Sequence, residues 1–197
     1  MKGITIFTSL VLAVLALCSF MPLADEAEIY DNTVRLHVLA NSDSAHDQEV
    51  KLCVRDAVLE TITEITKNAE NAEEAEALIA DNIRAVCDAA KETLCKLGED
   101  KEVSVTLSDE YYPTREYEDF KLPSGKYTSL RVMIGEAQGQ NWWCVLYPQL
   151  CTSTAKTGET LVKTGFSKDQ IDILTGGEEP KYRLKFKILE IFEKSFG

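Results

Sequence analysis

The sequence predicts an α+β domain: an antiparallel sheet covered on one face by a helical hairpin and a C-terminal helix. Three observations predict it. Short stretches alternate apolar and polar residues, two longer blocks repeat apolar residues at helical spacing, and those blocks lie together instead of alternating with the strands.

Residues 1–24 stand apart from that domain. Lys2 gives a positive start, and residues 4–21 are apolar except for Thr5, Thr8, Ser9, Cys18 and Ser19, the pattern a translocon recognises. An exported chain is therefore expected. Cleavage after Ala24 puts Pro22 at the −3 position, where a small residue is wanted, and the run is just long enough to span a bilayer, which needs roughly 17–25 apolar residues. Both a cleaved signal peptide and an uncleaved signal anchor, which would tether the chain to a membrane, stand open. Leu17 occupies the place where lipidation of Cys18 needs a small residue.

Residues 30–197 are read as one domain, large enough to bury a core. The formal net charge is −12, and removal of Lys2 with the leader makes it one unit more negative. That excess works against nucleic acid and against an anionic membrane surface as partners.

Within the domain, residues 33–40 read as a strand with Val34, Leu36 and Val38 on one face and Arg35 and His37 on the other. Asn41, Ser42, Asp43 and Ser44 follow as turn and capping residues, and Ser44 with Asp47 resembles a capping box. A helix is expected from there, carried by Val50, Val54, Val58, Ile62 and Ile65. A second begins near Asn71 and runs through Ile79, Ile83, Val86, Ala90 and Leu94 to Gly98 as its C-cap. From residue 102 the period becomes two: Val103, Val105 and Leu107 alternate with Ser104, Thr106 and Ser108. An aromatic loop is expected over 111–117, a strand over 129–134, and its hairpin partner over 141–147. Residues 182–196 carry Leu184, Ile188, Ile191 and Phe192 at helical spacing and give the C-terminal helix; the pattern over 149–180 is weak.

Five cysteines lie beyond the leader, an odd number that leaves at least one thiol unpaired or shared between chains. Cys144 and Cys151 flank a strand end that turns at Pro148, which favours a bridge between them. Cys53 and Cys87 lie level in an antiparallel helical hairpin, so a second bridge is geometrically reasonable, although inert thiols are preferred at Cys53, Cys87 and Cys95.

No metal spacing and no phosphate-cradling glycine loop occurs, so neither metal nor cofactor is expected. The enzymatic alternative is an extracytoplasmic thiol hydrolase or peptidase, with Cys144 or Cys151 beside His37 and Asn41 or Asp43 orienting the imidazole. Neither cysteine sits at an expected helix start, and a bridge would consume the thiol. A third reading is an envelope structural module held by an uncleaved anchor. The polar group Arg35, His37, Asn41, Ser42 and Asp43 serves on the plain reading to cap the helix and pair with acidic loops; functionally, an anion or a peptide carboxylate would suit the helix start.

Arg35-Leu36-His37-Val38-Leu39-Ala40-Asn41-Ser42-Asp43-Ser44 resembles the opening block of the stage II sporulation protein R family. Tyr112-Pro113-Thr114-Arg115-Glu116-Tyr117, Leu122-Pro123-Ser124-Gly125 and the run from Asn141 through Trp142-Trp143-Cys144 to Cys151 resemble later blocks, and Arg183-Leu184-Lys185-Phe186-Lys187-Ile188 resembles the C-terminal one. The resemblance implies a forespore protein exported into the space between the forespore and mother-cell membranes. There it would trigger a membrane-embedded aspartic protease of the mother cell that processes pro-sigma-E. It implies no catalytic residues. The surface expected to meet that partner comprises Trp143, Arg115, Tyr112 and Tyr117, with Arg35, His37, Asn41 and Asp43 beside it.

Overall fold

The computed structural model describes residues 2–19, 24–117, 119–150 and 157–176. The apolar leader forms α1 (Lys2–Ser19), with Ile4, Ile6, Phe7, Leu10 and Leu12 exposed. Among the described residues no helix is long and apolar enough to cross a membrane; the apolar run itself continues past Ser19 into residues that lie outside them.

After α2 (Ala24–Asp31), the chain enters β1 (Val34–Leu39) and then α3 (Ala45–Thr66). Ser44 caps α3 by accepting the amide of Asp47 at 3.1 Å. The reciprocal half of the expected capping box is absent, because the Asp47 carboxylate accepts from Asn41 and Ser42 instead. The next helix is two: α4 (Ala72–Asp81), capped by Asn71, and α5 (Ile83–Lys96), divided at Asn82. Gly98, at φ +72°, closes α5: its amide meets the Cys95 carbonyl and the Glu99 amide meets that of Leu94, which satisfies the last carbonyls.

The sheet contains β2 (Val103–Tyr112), β5 (Gly125–Ile134), β1 and β6 (Asn141–Tyr147), in the order β2-β5-β1-β6. The α+β class holds, with the sheet mixed instead of purely antiparallel, because β5 runs parallel to β1. Nor is β6 the hairpin partner of β5. The loop after β5 crosses the end of β1, where Gly139 and Gln138 donate to the carbonyls of Ala40 and Asn41, so β6 returns on the far side and pairs antiparallel with β1. Gly135 at φ +55° makes the turn that starts this crossing.

On one face α3, α4 and α5 cover Val34, Leu36, Val38, Leu130, Val132 and Ile134, the apolar core. The opposite face is covered as well, contrary to the expected single layer. A short pair, β3 (Arg115–Glu116) with β4 (Lys121–Leu122), joins α2, α6 (Thr157–Lys163) and α7 (Lys168–Thr175) around a second core of Ile29, Phe120, Leu122, Val145, Leu161 and Leu174. Tyr111 and Tyr112, expected in a loop, belong to β2, and Tyr112 is buried. The expected C-terminal helix over 182–196 lies outside the described residues. Cys53, Cys87 and Cys95 are free thiols, so the second bridge does not form; Cys53 is exposed while Cys87 is half-buried beside the Val103 carbonyl. Cys144 is disulfide-bonded, and Cys151, its expected mate, lies outside the described residues.

Candidate functional site

The second face of the sheet carries the unusual chemistry. Register puts Arg35 beside Ser129 and Val145, and His37 beside Arg131 and Trp143, so these side chains share one face across three strands. On β2, Glu110 and Tyr112 pair with Tyr127 and Gly125 and point the same way. Gly125 is required there, since a Cβ would collide with the Tyr30 ring.

Glu110 is the hub. Its carboxylate takes hydrogen bonds at 3.1 Å from His37 Nδ1, the Tyr112 hydroxyl and the Ser129 hydroxyl, and Arg131 Nε lies 3.6 Å away. His37 Nε2 lies 2.9 Å from Asn141 Oδ1, which fixes both ends of the imidazole. Tyr112 and Ser129 also lie 2.6 Å apart, so their two hydroxyl protons are shared among this contact and the two to Glu110. Burial, reinforced by the nearby Glu110 charge, pushes the Tyr112 phenol well above its usual range, so it remains a neutral donor.

Arg35 is wholly buried. Its guanidinium lies 3.8 Å from the centre of the Tyr112 ring and 5.0 Å from that of Tyr127, and Nη2 donates to the Tyr117 hydroxyl at 2.8 Å. Tyr117 in turn stacks on Phe120 at 4.4 Å. At the rim, the Arg115 guanidinium sits 3.7 Å over Trp143, whose ring stacks on His37 at 5.5 Å. Arg115, Trp143 and Tyr117 are half-buried.

Of the residues expected at a partner surface, six therefore meet in one cluster: Trp143, Arg115, Tyr112, Tyr117, Arg35 and His37. Arg35 and His37 do lie opposite Val34 and Leu36, but covered by the second layer, and their partners are aromatic rings and a strand carboxylate instead of acidic loops. Asn41 belongs to a separate network at the start of α3, where its Nδ2 donates to Asp47 at 2.8 Å and its Oδ1 accepts the Glu136 amide; Asp43 is exposed. The Asp47 carboxylate and the turn residues fill the place an anion would take. Hydrogen bonds from Ser42 and Asn41, with Lys101 adding to them, hold that carboxyl well below the usual range.

A thiol hydrolase built on Cys144 and His37 does not fit this geometry. Cys144 pairs with Leu36 and is buried in the helix-side core, whereas His37 points to the other face, and the sulfur is already bonded. Among the described residues no group of histidine, cysteine and carboxylate side chains suits a metal.

The family model of stage II sporulation protein R matches residues 30–157. The chain belongs to the stage II sporulation protein R family. It is 38% identical over 133 residues to "Stage II sporulation protein R" of Bacillus subtilis (strain 168), an alignment that takes in 68% of this chain and 59% of the relative. The chain thus spans less than two thirds of that relative's length. No solved structure matches it. The sporulation-family segment contains all of β1 to β6, and with them both faces of the sheet and the whole Glu110 cluster.

Sequence reasoning missed Glu110, Ser129, Arg131 and Asn141. The signal for Glu110 was present: the alternation that begins at Val103 continues through Ser108, Glu110 and Tyr112 on one side. The helix α7 was also readable, since Ser167 and Gln170 form a reciprocal capping box.

Proposed function

We propose that this chain is a secreted signal of endospore formation that acts by contact and not by catalysis. It is made in the forespore and exported through residues 1–24 into the space between forespore and mother-cell membranes. There it activates the membrane-embedded protease that processes pro-sigma-E. Family membership supports the sporulation role, and the exposed apolar α1 supports export. The observation that carries the contact reading is the half-buried Arg115 guanidinium over Trp143 at the rim of the packed cluster. Aromatic rings and guanidinium groups held rigid at a surface are the groups that concentrate binding energy. A bridge from Cys144 to Cys151 belongs to the same reading, as a staple at the end of the strand that carries Trp143.

The test is co-expression with the protease and its pro-sigma substrate in a host that does not sporulate. Cleavage should depend on this chain and vanish when Arg115 and Trp143 are both replaced by alanine, with circular dichroism unchanged. Unimpaired cleavage by the folded double variant would refute the contact surface.

A further inference from the structure

Arg35 and Arg115 are cations out of place in this protein. The chain carries 33 acidic and 21 basic side chains, and Arg84, Lys91, Lys163 and Lys168, which make no ion pair among the described residues, are exposed to water. Lys67, Lys96, Lys101, Lys121, Lys126 and Arg131 each lie within ion-pair distance of a carboxylate. Buried Lys51 instead donates to Gln48 and to the Gln140 carbonyl. Arg35 and Arg115 are respectively buried and half-buried, and among the described residues neither has an ion pair and both keep buried nitrogens with no hydrogen-bond partner: Nε and Nη1 of Arg35, and Nε of Arg115. Glu110, the carboxylate at the centre of the cluster, is already committed to His37, Tyr112, Ser129 and Arg131.

We propose that the rim around Arg115 and Trp143 is a docking site for an acidic segment of a protein partner, whose carboxylate the Arg115 guanidinium receives. The indole covers one side of the guanidinium, and Nε is buried, so the two Nη groups are the ones open to an acceptor. A carboxylate matches this fork with two parallel hydrogen bonds. Arg35 positions the site: its bond to the Tyr117 hydroxyl holds the chain two residues beyond Arg115. Its uncompensated charge also favours an anion nearby. The net charge of −12 repels acidic partners at long range, yet screening limits that repulsion to about 8 Å at physiological salt, so a local cation can decide the contact. The same net charge disfavours an anionic membrane as the occupant. The proposal rests on the contact reading only for the biological identity of the partner, and the carboxylate site is testable without it.

The probe is a hexaglutamate peptide with blocked ends, titrated at low salt into the full chain kept soluble by a neutral detergent. The chain has two tryptophans, so a Trp142→Phe background makes Trp143 the sole reporter. Saturable quenching or a shift of Trp143 emission is expected with hexaglutamate and not with hexaserine. Arg115→Gln should weaken the binding at least tenfold. Arg115→Lys should restore only part of it, because an ammonium lacks the planar fork. Lys126→Gln removes the same charge from an exposed site paired with Asp109 and should change the affinity less than twofold. Absence of saturable binding would overturn the proposal, as would equal losses for Arg115→Gln and Lys126→Gln, or equally effective competition by inorganic phosphate. A positive result here with no protease activation in co-expression would count against the signalling reading alone.

Discussion

Replacing Glu110 by alanine should cost the domain about 3 kcal/mol, a figure that follows from what each partner loses. Three donors contact the carboxylate at 3.1 Å, and hydrogen bonds to a charged group contribute about 1.5–3 kcal/mol each. The losses are not independent. Tyr112 and Ser129 keep each other at 2.6 Å, and His37 keeps Asn141 at 2.9 Å, so none is left wholly unbonded. Arg131 is about one-third exposed and turns to water, so its 3.6 Å pair adds little. About 3 kcal/mol remains once these compensations are allowed for, and Glu110→Gln, which preserves shape and one acceptor, should cost about half as much. For a domain of this size the alanine change should lower Tm by about 6–12 °C. Thermal denaturation of the full chain in neutral detergent, followed by circular dichroism, measures it. A fall of less than about 2 °C for Glu110→Ala would show that the cluster is not cooperatively bonded.

Two further outcomes are expected. Because hydrogen bonds from Ser42 and Asn41 depress the Asp47 carboxyl, its contribution is complete above the unfolded value near pH 3.9 and is lost as pH falls from there towards the lower folded value. Urea midpoints of the wild type and Asp47→Asn should therefore differ most at neutral pH and converge below about pH 3.9; a gap that stays constant would refute the assignment. Gly98→Ala, at φ +72° in open space, should cost about 1 kcal/mol. Gly135→Ala should cost clearly more, because its Cβ would also strike Asn41 and disturb the bond from the Glu136 amide; equal midpoints for the two variants would argue against the observed crossing of β1.

The elements legible in the sequence are those set by local chemistry. Ser44 and Asn71 start helices where capping residues stand, Gly98 stops one, and Val34, Leu36 and Val38 face the helices as their alternation implies. Periodicity assigns a residue to a face; it does not name the neighbouring strand. The place of β6 beside β1 depends on the loop carrying Gly139 across the end of β1, a contact between segments about a hundred residues apart. Nor does periodicity say whether a face is covered, which is why Arg35 and His37 were placed on the right face but expected at its outside. Along β6 the alternation itself fails: the register shifts between Val34 and Arg35, so Leu146 and Tyr147 both join the helix-side core while Val145 serves the other. The cluster site was legible residue by residue in Arg35, His37, Tyr112, Arg115 and Trp143. Glu110, which binds them into one unit, became visible only with β2 at its full length.

The two faces of the sheet separate what the domain needs to stay folded from what it can present. The helix side is dry and apolar, and there a large-to-small change such as Leu130→Ala should cost about 2–5 kcal/mol wherever the protein acts. The second face is stabilised by aromatic and polar contacts, with the half-buried Arg115 over Trp143 at its rim and outside both apolar cores. Loss of signalling should therefore track loss of stability for Leu130, partly uncouple from it for Glu110, and uncouple fully for Arg115. A single line relating signalling to Tm through all three variants would mean that the rim contributes only to folding, and the assignment of a contact surface to this face would fall with it.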